Sequence, residues 1–183
     1  MIGRRDILQQ GALVAAGAMI AGRVSGQEGS TGGEAKFFPG FKPFKVKTTG
    51  AEINGVIGGS VGLAARRRLG ATVRGIDPHA SAALAAGAID EAHDDLGAAL
   101  DGADAAVVAV PLGALPETVA AVLAQAPPGC LVTDVGSTKR GVVAANGDER
   151  FVGGHPLAGS EAAGVAHARE DLFDGAVWYL TPT

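Results

Sequence analysis

The order of apolar and polar residues changes character near residue 54. From there onward, short apolar runs alternate with longer stretches in which apolar residues recur at helical spacing. The runs that predict strands cover residues 71–77, 104–110, 130–135, 150–153 and 176–181. The stretches that predict helices cover residues 61–69, 80–86, 94–101 and 114–126. Strands that alternate with helices predict an α/β fold with a doubly wound parallel sheet.

Composition agrees with a buried parallel sheet and narrows the possible partners. Hydrophobic residues make up 47% of the 183 residues and aromatic residues only 4%, so Ala, Val, Leu and Ile must build the core. The net charge is −4 without a basic block, which argues against nucleic acid as a partner. The single cysteine, Cys130, has apolar neighbours and predicts a buried structural thiol. Cys and His do not cluster at metal-ligand spacing, so no metal site is predicted.

The first 54 residues depart from this pattern in two segments. Residues 1–36 begin with a pair of arginines, Arg4 and Arg5, before an apolar stretch, and end in a flexible linker rich in Gly and Ser. The pair resembles a twin-arginine export signal, and its apolar stretch is shorter than the about 20 residues that span a bilayer. In residues 37–54, the alternating stretch from Phe44 predicts an antiparallel strand with one solvated face.

A glycine-rich turn and a later acid together predict a dinucleotide site. The turn opens the first helix at Gly55-Val56-Ile57-Gly58, where glycines let the backbone approach a pyrophosphate and the helix N-terminus offers free N–H groups. Ile53 occupies the first glycine position of the Gly-x-Gly-x-x-Gly pattern. Asp77 ends the next strand at roughly the 20-residue spacing expected of an acid that meets the ribose and favours NAD over NADP. A helix cap before Pro78 is the structural alternative for Asp77.

Two polar clusters follow the later predicted strands. They read Asp134-Val-Gly-Ser137-Thr-Lys139 and Gly154-His155-Pro-Leu-Ala-Gly-Ser-Glu. In an open α/β sheet, ligands bind at the carboxyl ends of the strands, where both clusters are predicted to lie. An imidazole and a hydroxyl in that position form a candidate acid–base pair, here His155 and Ser137. A structural histidine at a strand end is the alternative for His155.

From Gly55 to Thr183 the chain resembles the dinucleotide-binding half of prephenate dehydrogenases, a Rossmann-like domain. The resemblance is carried by IGGSVGLAARRRLGA, GIDP, GAIDEA, AVPLGALPE, TDVGSTK, FVGGHPLAGSE and DLFDGAVWYLTPT. It implies NAD-dependent oxidative decarboxylation of prephenate to 4-hydroxyphenylpyruvate in tyrosine biosynthesis, with prephenate or arogenate as the substrate. His155 would then accept the proton of the ring hydroxyl, and Ser137 would hold the imidazole. The cofactor would lie near Ser60, in the first helical turn, and near Val110 and Pro111.

The chain also departs from this family at both ends. The family's first strand is central and apolar on both faces, whereas Lys47 and Glu52 precede the glycine turn here, so the first strand is atypical. The family continues into a helical domain that dimerises and supplies an arginine for the substrate, and that domain is absent before Thr183. An inactive NAD-binding fragment is therefore the alternative to an impaired enzyme. The chemistry favours a cytoplasmic location, while the arginine pair suggests export.

Residues 37–60 resemble a different family, the exported α/β-hydrolases of the haloacetate dehalogenase type, at their first hairpin. Both resemblances include Ile-Gly-Gly-Ser, which predicts a junction near residues 55–60, as in a chimera. Ser60 also lies in a Gly-x-Ser-x-Gly pattern, and Asp134 and His155 follow in the chain order of a serine hydrolase. A nucleophile elbow needs a buried strand before it, however, and the residues before this turn make a poor one.

Overall fold

The computed structural model describes residues 45–49, 55–145, 147–159 and 162–182. Strands are β1 Lys45–Thr49, β2 Thr72–Ile76, β3 Glu91–Ala92, β4 Ala105–Val108, β5 Leu131–Asp134, β6 Phe151–Pro156 and β7 Trp178–Pro182. Helices are α1 Gly55–Leu69, α2 Ala80–Ala85, α3 Leu96–Leu100, α4 Leu115–Gln125 and α5 Arg140–Ala145, with a 3-10 helix at Val165–His167. The predicted signal-like segment and linker, residues 1–36, and most of segment 37–54 lie outside the described residues.

The strands form one sheet in the order β3-β2-β1-β4-β5-β6-β7. β1 to β6 are parallel, and β7 closes the edge antiparallel to β6. The predicted doubly wound α/β fold is confirmed. The strand order reverses direction between β1 and β4, and in such sheets ligands bind in the crevice outside the carboxyl ends at this switch point.

The prediction that the segment from Phe44 forms an antiparallel strand is wrong. β1 lies at the centre of the sheet and is parallel to both neighbours, with Val46 opposite Val73 on one side and Ala105 on the other. Alternation of apolar and polar residues identifies a strand, but it carries no information on the direction of the strands beside it. The direction follows from α1, because a helical crossover between two neighbouring strands makes them parallel.

Helices cover both faces of the sheet, and each face has its own apolar core. One core lies under α1 and includes Val61, Val73 and Phe173. The other lies under α4 and includes Leu115 and Phe151. Such two-sided cover explains why β4 and β5 read as continuous apolar runs in the sequence. Among the described residues, no helix has both the length and the apolar character needed to cross a bilayer.

Burial of Cys130 against the second core gives the thiol a pH-dependent role in stability. The residue is almost fully buried and free, as predicted, and desolvation raises the pKa of the thiol from 9.0 to about 11. Between these values the unfolded chain releases the thiol proton and the folded chain retains it. Ionisation therefore favours the unfolded state, and the stability lost rises with pH across this window.

We expect the wild-type protein to lose on the order of 2 kcal/mol of unfolding free energy relative to Cys130→Ala between pH 8 and pH 11. Urea denaturation of both proteins at the two pH values measures this difference, and the other groups that titrate cancel in the comparison. Equal losses in the two proteins would show that the thiol does not contribute.

Candidate functional site

The first turn of α1 provides the chemistry that a phosphate needs. β1 ends at Thr49 and the helix begins at Gly55, and residues 50–54 between them lie outside the described residues. Gly58 is buried, and the first turn contains no acidic residue that would occupy the free N–H groups. A helix N-terminus with free donors and partial positive charge stabilises an anion. This end of α1 therefore fits the pyrophosphate of a dinucleotide.

The glycines of α1 also serve packing, because the loop around the 3-10 helix lies against this helix. A Cβ atom on Gly55 would lie 3.2 Å from the backbone nitrogen of Val165, and one on Gly59 would lie 2.8 Å from the Val165 Cγ2 atom. Real Cβ contacts are rarely so short, so a larger residue at Gly59 would push the loop away. Part of the glycine pattern that suggested a cofactor is thus required by this close approach.

Three of the predicted cofactor residues have side chains that are buried or partly buried within the protein. Val56 is buried in the core, Ile57 packs against the same core, and Ser60 is fully buried. Ser60 lies in the second turn of α1, which corrects the prediction of the first turn. Its hydroxyl accepts the backbone N–H of Arg169 at 2.9 Å. Val56 is therefore suited to contact a cofactor through its backbone alone, whereas Ile57 keeps part of its side chain exposed.

Asp77 lies at the carboxyl end of β2, beside the residues that open α1 in the sheet order. One carboxylate oxygen accepts the N–H of His79 at 2.7 Å, and the side chain is 20% exposed. The N-cap position of α2 is His79, so Asp77 stabilises the turn before the helix without being its cap residue. The position at the sheet edge agrees with the predicted ribose contact.

The loop after β4 brings a further apolar side chain to the same edge of the sheet. Val110 is half-buried and packs against the second core, while Pro111 is exposed. Leu112 is 45% exposed, and its Cδ2 atom lies so close to Gly136 that a Cβ atom there would be 3.0 Å away. This contact could not be predicted from the sequence, because it joins two loops that are distant in the chain.

His155 lies near the carboxyl end of β6 and is partly exposed. It pairs across the strands with Tyr179 of β7, and the two ring centroids are 6.4 Å apart with an interplanar angle of 40°. Tyr179 is 57% exposed, so the imidazole and the phenol border the same open edge. Sequence reasoning missed Tyr179, because the antiparallel pairing of β6 with β7 places it there.

Asp134 ends β5 as a fully buried carboxylate that several donors surround. Its Oδ2 atom accepts the N–H of Gly136 at 2.8 Å and forms an ion pair with the ammonium of Lys139. Its Oδ1 atom accepts the N–H of Gly154 at 3.2 Å. Burial lowers the pKa of Lys139, and the hydrogen bond to Asp134 opposes that shift. The motif was recognised in the sequence, but the contact between β5 and β6 was not.

Ser137 is exposed in the turn that follows β5, and no hydrogen bond between described residues joins it to His155. The predicted pairing of the hydroxyl with the imidazole therefore stays a prediction. The two residues are linked through the backbone instead, because the glycine before each of them donates its N–H to Asp134.

The residues of the alternative serine hydrolase are not assembled into a triad. The Ser60 hydroxyl is buried and bound to the backbone of Arg169, and the Asp134 carboxylate is bound to Lys139 and two glycines. A triad needs a hydrogen bond from the serine to the histidine and another from the histidine to the acid. The described contacts of these groups provide neither.

Comparison with known proteins identifies the family of the larger part of the chain. Residues 61–183 match the family described as prephenate dehydrogenase, nucleotide-binding domain. The chain belongs to this family. The match begins at Val61, so the predicted junction near residues 55–60 stays a prediction. Prephenate dehydrogenase of Bacillus subtilis (strain 168) is 39% identical over 141 residues, which cover 70% of this chain and 37% of that protein.

Solved structures of prephenate and arogenate dehydrogenases have the same fold. The arogenate dehydrogenase of Synechocystis superposes with a TM-score of 0.66 at 32% identity, covering 76% of this chain and 50% of that one. The prephenate dehydrogenase of Aquifex aeolicus, solved in complex with hydroxyphenyl propionate and NAD+, gives a TM-score of 0.66 at 29% identity, covering 79% of this chain and 52% of that one. The chain thus spans about half the length of these relatives or less.

Proposed function

We propose that this domain binds NAD and contributes the acid–base residue for oxidative decarboxylation of prephenate to 4-hydroxyphenylpyruvate. The observation that carries the proposal is the placement of His155 at the sheet edge that also bears Asp77 and the N-terminus of α1. Membership of the prephenate dehydrogenase family and the NAD+ complex of the Aquifex aeolicus relative support the same assignment.

Different residues at the carboxyl edge of the sheet would bind different parts of a dinucleotide. The free N–H groups of the first turn of α1 would hold the pyrophosphate. Asp77 would accept hydrogen bonds from the ribose hydroxyls and repel the 2′-phosphate of NADP. Val110 and Pro111 would border the cofactor at the end of β4. Bound NAD would supply the hydride acceptor of the reaction.

His155 would move the proton. The imidazole at the end of β6 would accept the proton of the ring hydroxyl as the carbon that bears this hydroxyl loses its hydride, for which bound NAD+ would be the acceptor. The ring carboxylate leaves as carbon dioxide, and the electron pair of the broken C–C bond makes the ring aromatic. The imidazolium then returns the proton to the phenolate oxygen. Proton transfer by a positioned side chain contributes roughly 10²–10⁴-fold to a rate.

The proposal is tested by the absorbance of NADH formed when prephenate and NAD+ are added to the chain, with arogenate tested in parallel. We expect turnover with prephenate that depends on NAD+ and is weaker with NADP+. NAD+ binding without turnover would contradict the catalytic part of the proposal and would support the alternative of a binding fragment. No turnover and no binding of NAD+ would overturn the proposal.

We expect Asp77→Asn to weaken NAD+ binding by about tenfold and to reduce the preference for NAD+ over NADP+. Hydrogen bonds to a charged acceptor contribute about 1.5–3 kcal/mol, and the amide also no longer repels the 2′-phosphate. Titration calorimetry with both cofactors measures the two effects. Asp104→Asn is the matched control, since this exposed acid precedes β4 at the opposite edge of the sheet. Equal affinities in wild type and Asp77→Asn would remove Asp77 from the site.

A further inference from the structure

One carboxylate connects the ends of β5 and β6. Asp134 is fully buried, and each of its two oxygens accepts the N–H of a different glycine. Gly136 lies in the turn after β5, and Gly154 lies in β6. Gly136 directly precedes Ser137, and Gly154 directly precedes His155, so the carboxylate holds the backbone just before both residues.

Close packing fixes Gly154 in its place. A Cβ atom on Gly154 would lie 2.8 Å from Nε1 of Trp178 and 2.9 Å from Oγ1 of Thr133, and still closer to the carbonyl oxygen of Asp134. Only glycine lets the backbone of β6 come this near to β5. The N–H of Gly154 then reaches the Asp134 carboxylate directly, and the peptide that leads into His155 has little freedom to rotate.

The charge of Asp134 is needed for these contacts. Two backbone N–H groups and the ammonium of Lys139 all donate to it. An ionised carboxylate is acceptor-only, with room for several donors, whereas the amide of asparagine presents an N–H₂ group on one side. That side cannot accept the N–H of a glycine. Burial of the carboxylate is compensated by Lys139, whose side chain is itself only 13% exposed.

We propose that Asp134 is a positioning residue that fixes the backbone of Ser137 and His155 relative to one another. Through Gly136 and Gly154 it makes the end of β5 and the end of β6 a single rigid unit, and the imidazole projects from that unit toward the substrate. The rigid connection between β5 and β6 concerns contacts within the chain alone. Its effect on catalysis rests on the proposed function.

Asp134→Asn tests the proposal, with Thr133→Val as the matched control. Thr133 precedes Asp134 on the same strand and donates its hydroxyl to the carbonyl of Val152, not to either glycine. In Asp134→Asn we expect hydrogen exchange at the amides of Gly136 and Gly154 to become at least tenfold faster relative to other amides of β5 and β6. We also expect the His155 ring to give one sharp NMR signal in wild type and in Thr133→Val, and a broadened or split signal in Asp134→Asn.

Several outcomes would overturn the proposal. One is unchanged exchange at both glycines with a single sharp His155 signal; another is a uniform acceleration across both strands, which indicates a structural role only. If turnover is present, kcat should fall about tenfold or more in Asp134→Asn while the KM for NAD+ stays within twofold. If wild type shows no turnover, the proposed function fails, and the exchange and ring signals still test the rigid connection between β5 and β6.

The wild-type protein provides a second test in case Asp134→Asn does not fold. The amides of Gly136 and Gly154 should then exchange with the same opening free energy at every denaturant concentration, because one carboxylate holds both. A tenfold or larger difference between their protection factors would show that the two strand ends open independently and would contradict the proposal.

Discussion

His155→Asn should lower the rate of prephenate oxidation by about 10²–10⁴-fold and leave the affinity for NAD+ within about twofold. Asparagine has a size close to that of histidine, but its amide cannot accept a proton near neutral pH. The cofactor contacts proposed for α1 and Asp77 lie on the other side of β4 and β5 from β6 in the sheet order, so they should survive the change. Steady-state rates and calorimetry with NAD+ separate the two effects.

His93→Asn is the control for the loss of a histidine at the carboxyl ends of the strands. His93 follows β3, the outermost strand at the other end of the strand order from β6, and its ring contacts Glu91. We expect this variant to retain the wild-type rate. A loss of less than tenfold in His155→Asn, or an equal loss in both variants, would remove His155 from the role of acid–base residue.

Gly62→Ala should destabilise the fold by about 3 kcal/mol. A Cβ atom at this position would overlap the carbonyl oxygen of Ala88 and lie 3.1 Å from its carbonyl carbon. Both are backbone atoms that no rotamer change can move, so α1 would have to shift away from the loop before β3. Because α1 also opens the proposed cofactor site, NAD+ should bind more weakly as well.

Gly141→Ala is the matched control for this effect. Gly141 lies in α5, is exposed, and has no atom within 4 Å of where a Cβ atom would be placed. Alanine favours a helix over glycine, so this variant should gain about 0.5 kcal/mol. Urea denaturation measures both changes. A Gly62→Ala variant as stable as Gly141→Ala would show that α1 does not pack closely against the backbone of Ala88.

Much of the fold could be predicted because local periodicity matches the observed elements. β4 and β5 are buried on both faces and read as continuous apolar runs, and α4 was predicted within a residue or two of its ends. The helical pattern of α1 was recognised over residues 61–69 with a glycine turn before it, whereas the helix already begins at Gly55 within that predicted turn. Its glycine-rich start has low helix propensity, and the loop around Val165 packs against it.

The elements that were not predicted are short or depend on distant contacts. β3 has only two residues, and α5 follows a polar cluster and contains a glycine near its start. The central parallel position of β1 could not be read from its alternating residues, because the direction of a strand is set by the elements around it. Periodicity therefore identified helices and strands better than it predicted their position and direction in the sheet.

The candidate site, like the fold, could be predicted only in part. His155 and Asp77 were predicted to share the carboxyl edge of the sheet, and the structure places both there because parallel strands end at one edge. The role of Asp134 was not predictable, since its partners are backbone N–H groups of two glycines, which any residue type carries. Ser60 matched two functional patterns, yet its hydroxyl serves the packing of a loop on α1.

A crystal structure of the protein with NAD+ bound would show whether the cofactor and His155 meet at the carboxyl edge of the sheet. We expect the pyrophosphate at the first turn of α1, the ribose at Asp77, and the nicotinamide ring facing the imidazole of His155 with room for one substrate ring between them. A nicotinamide ring on the far side of β1 from β6, or bound away from the carboxyl edge of the sheet, would contradict it.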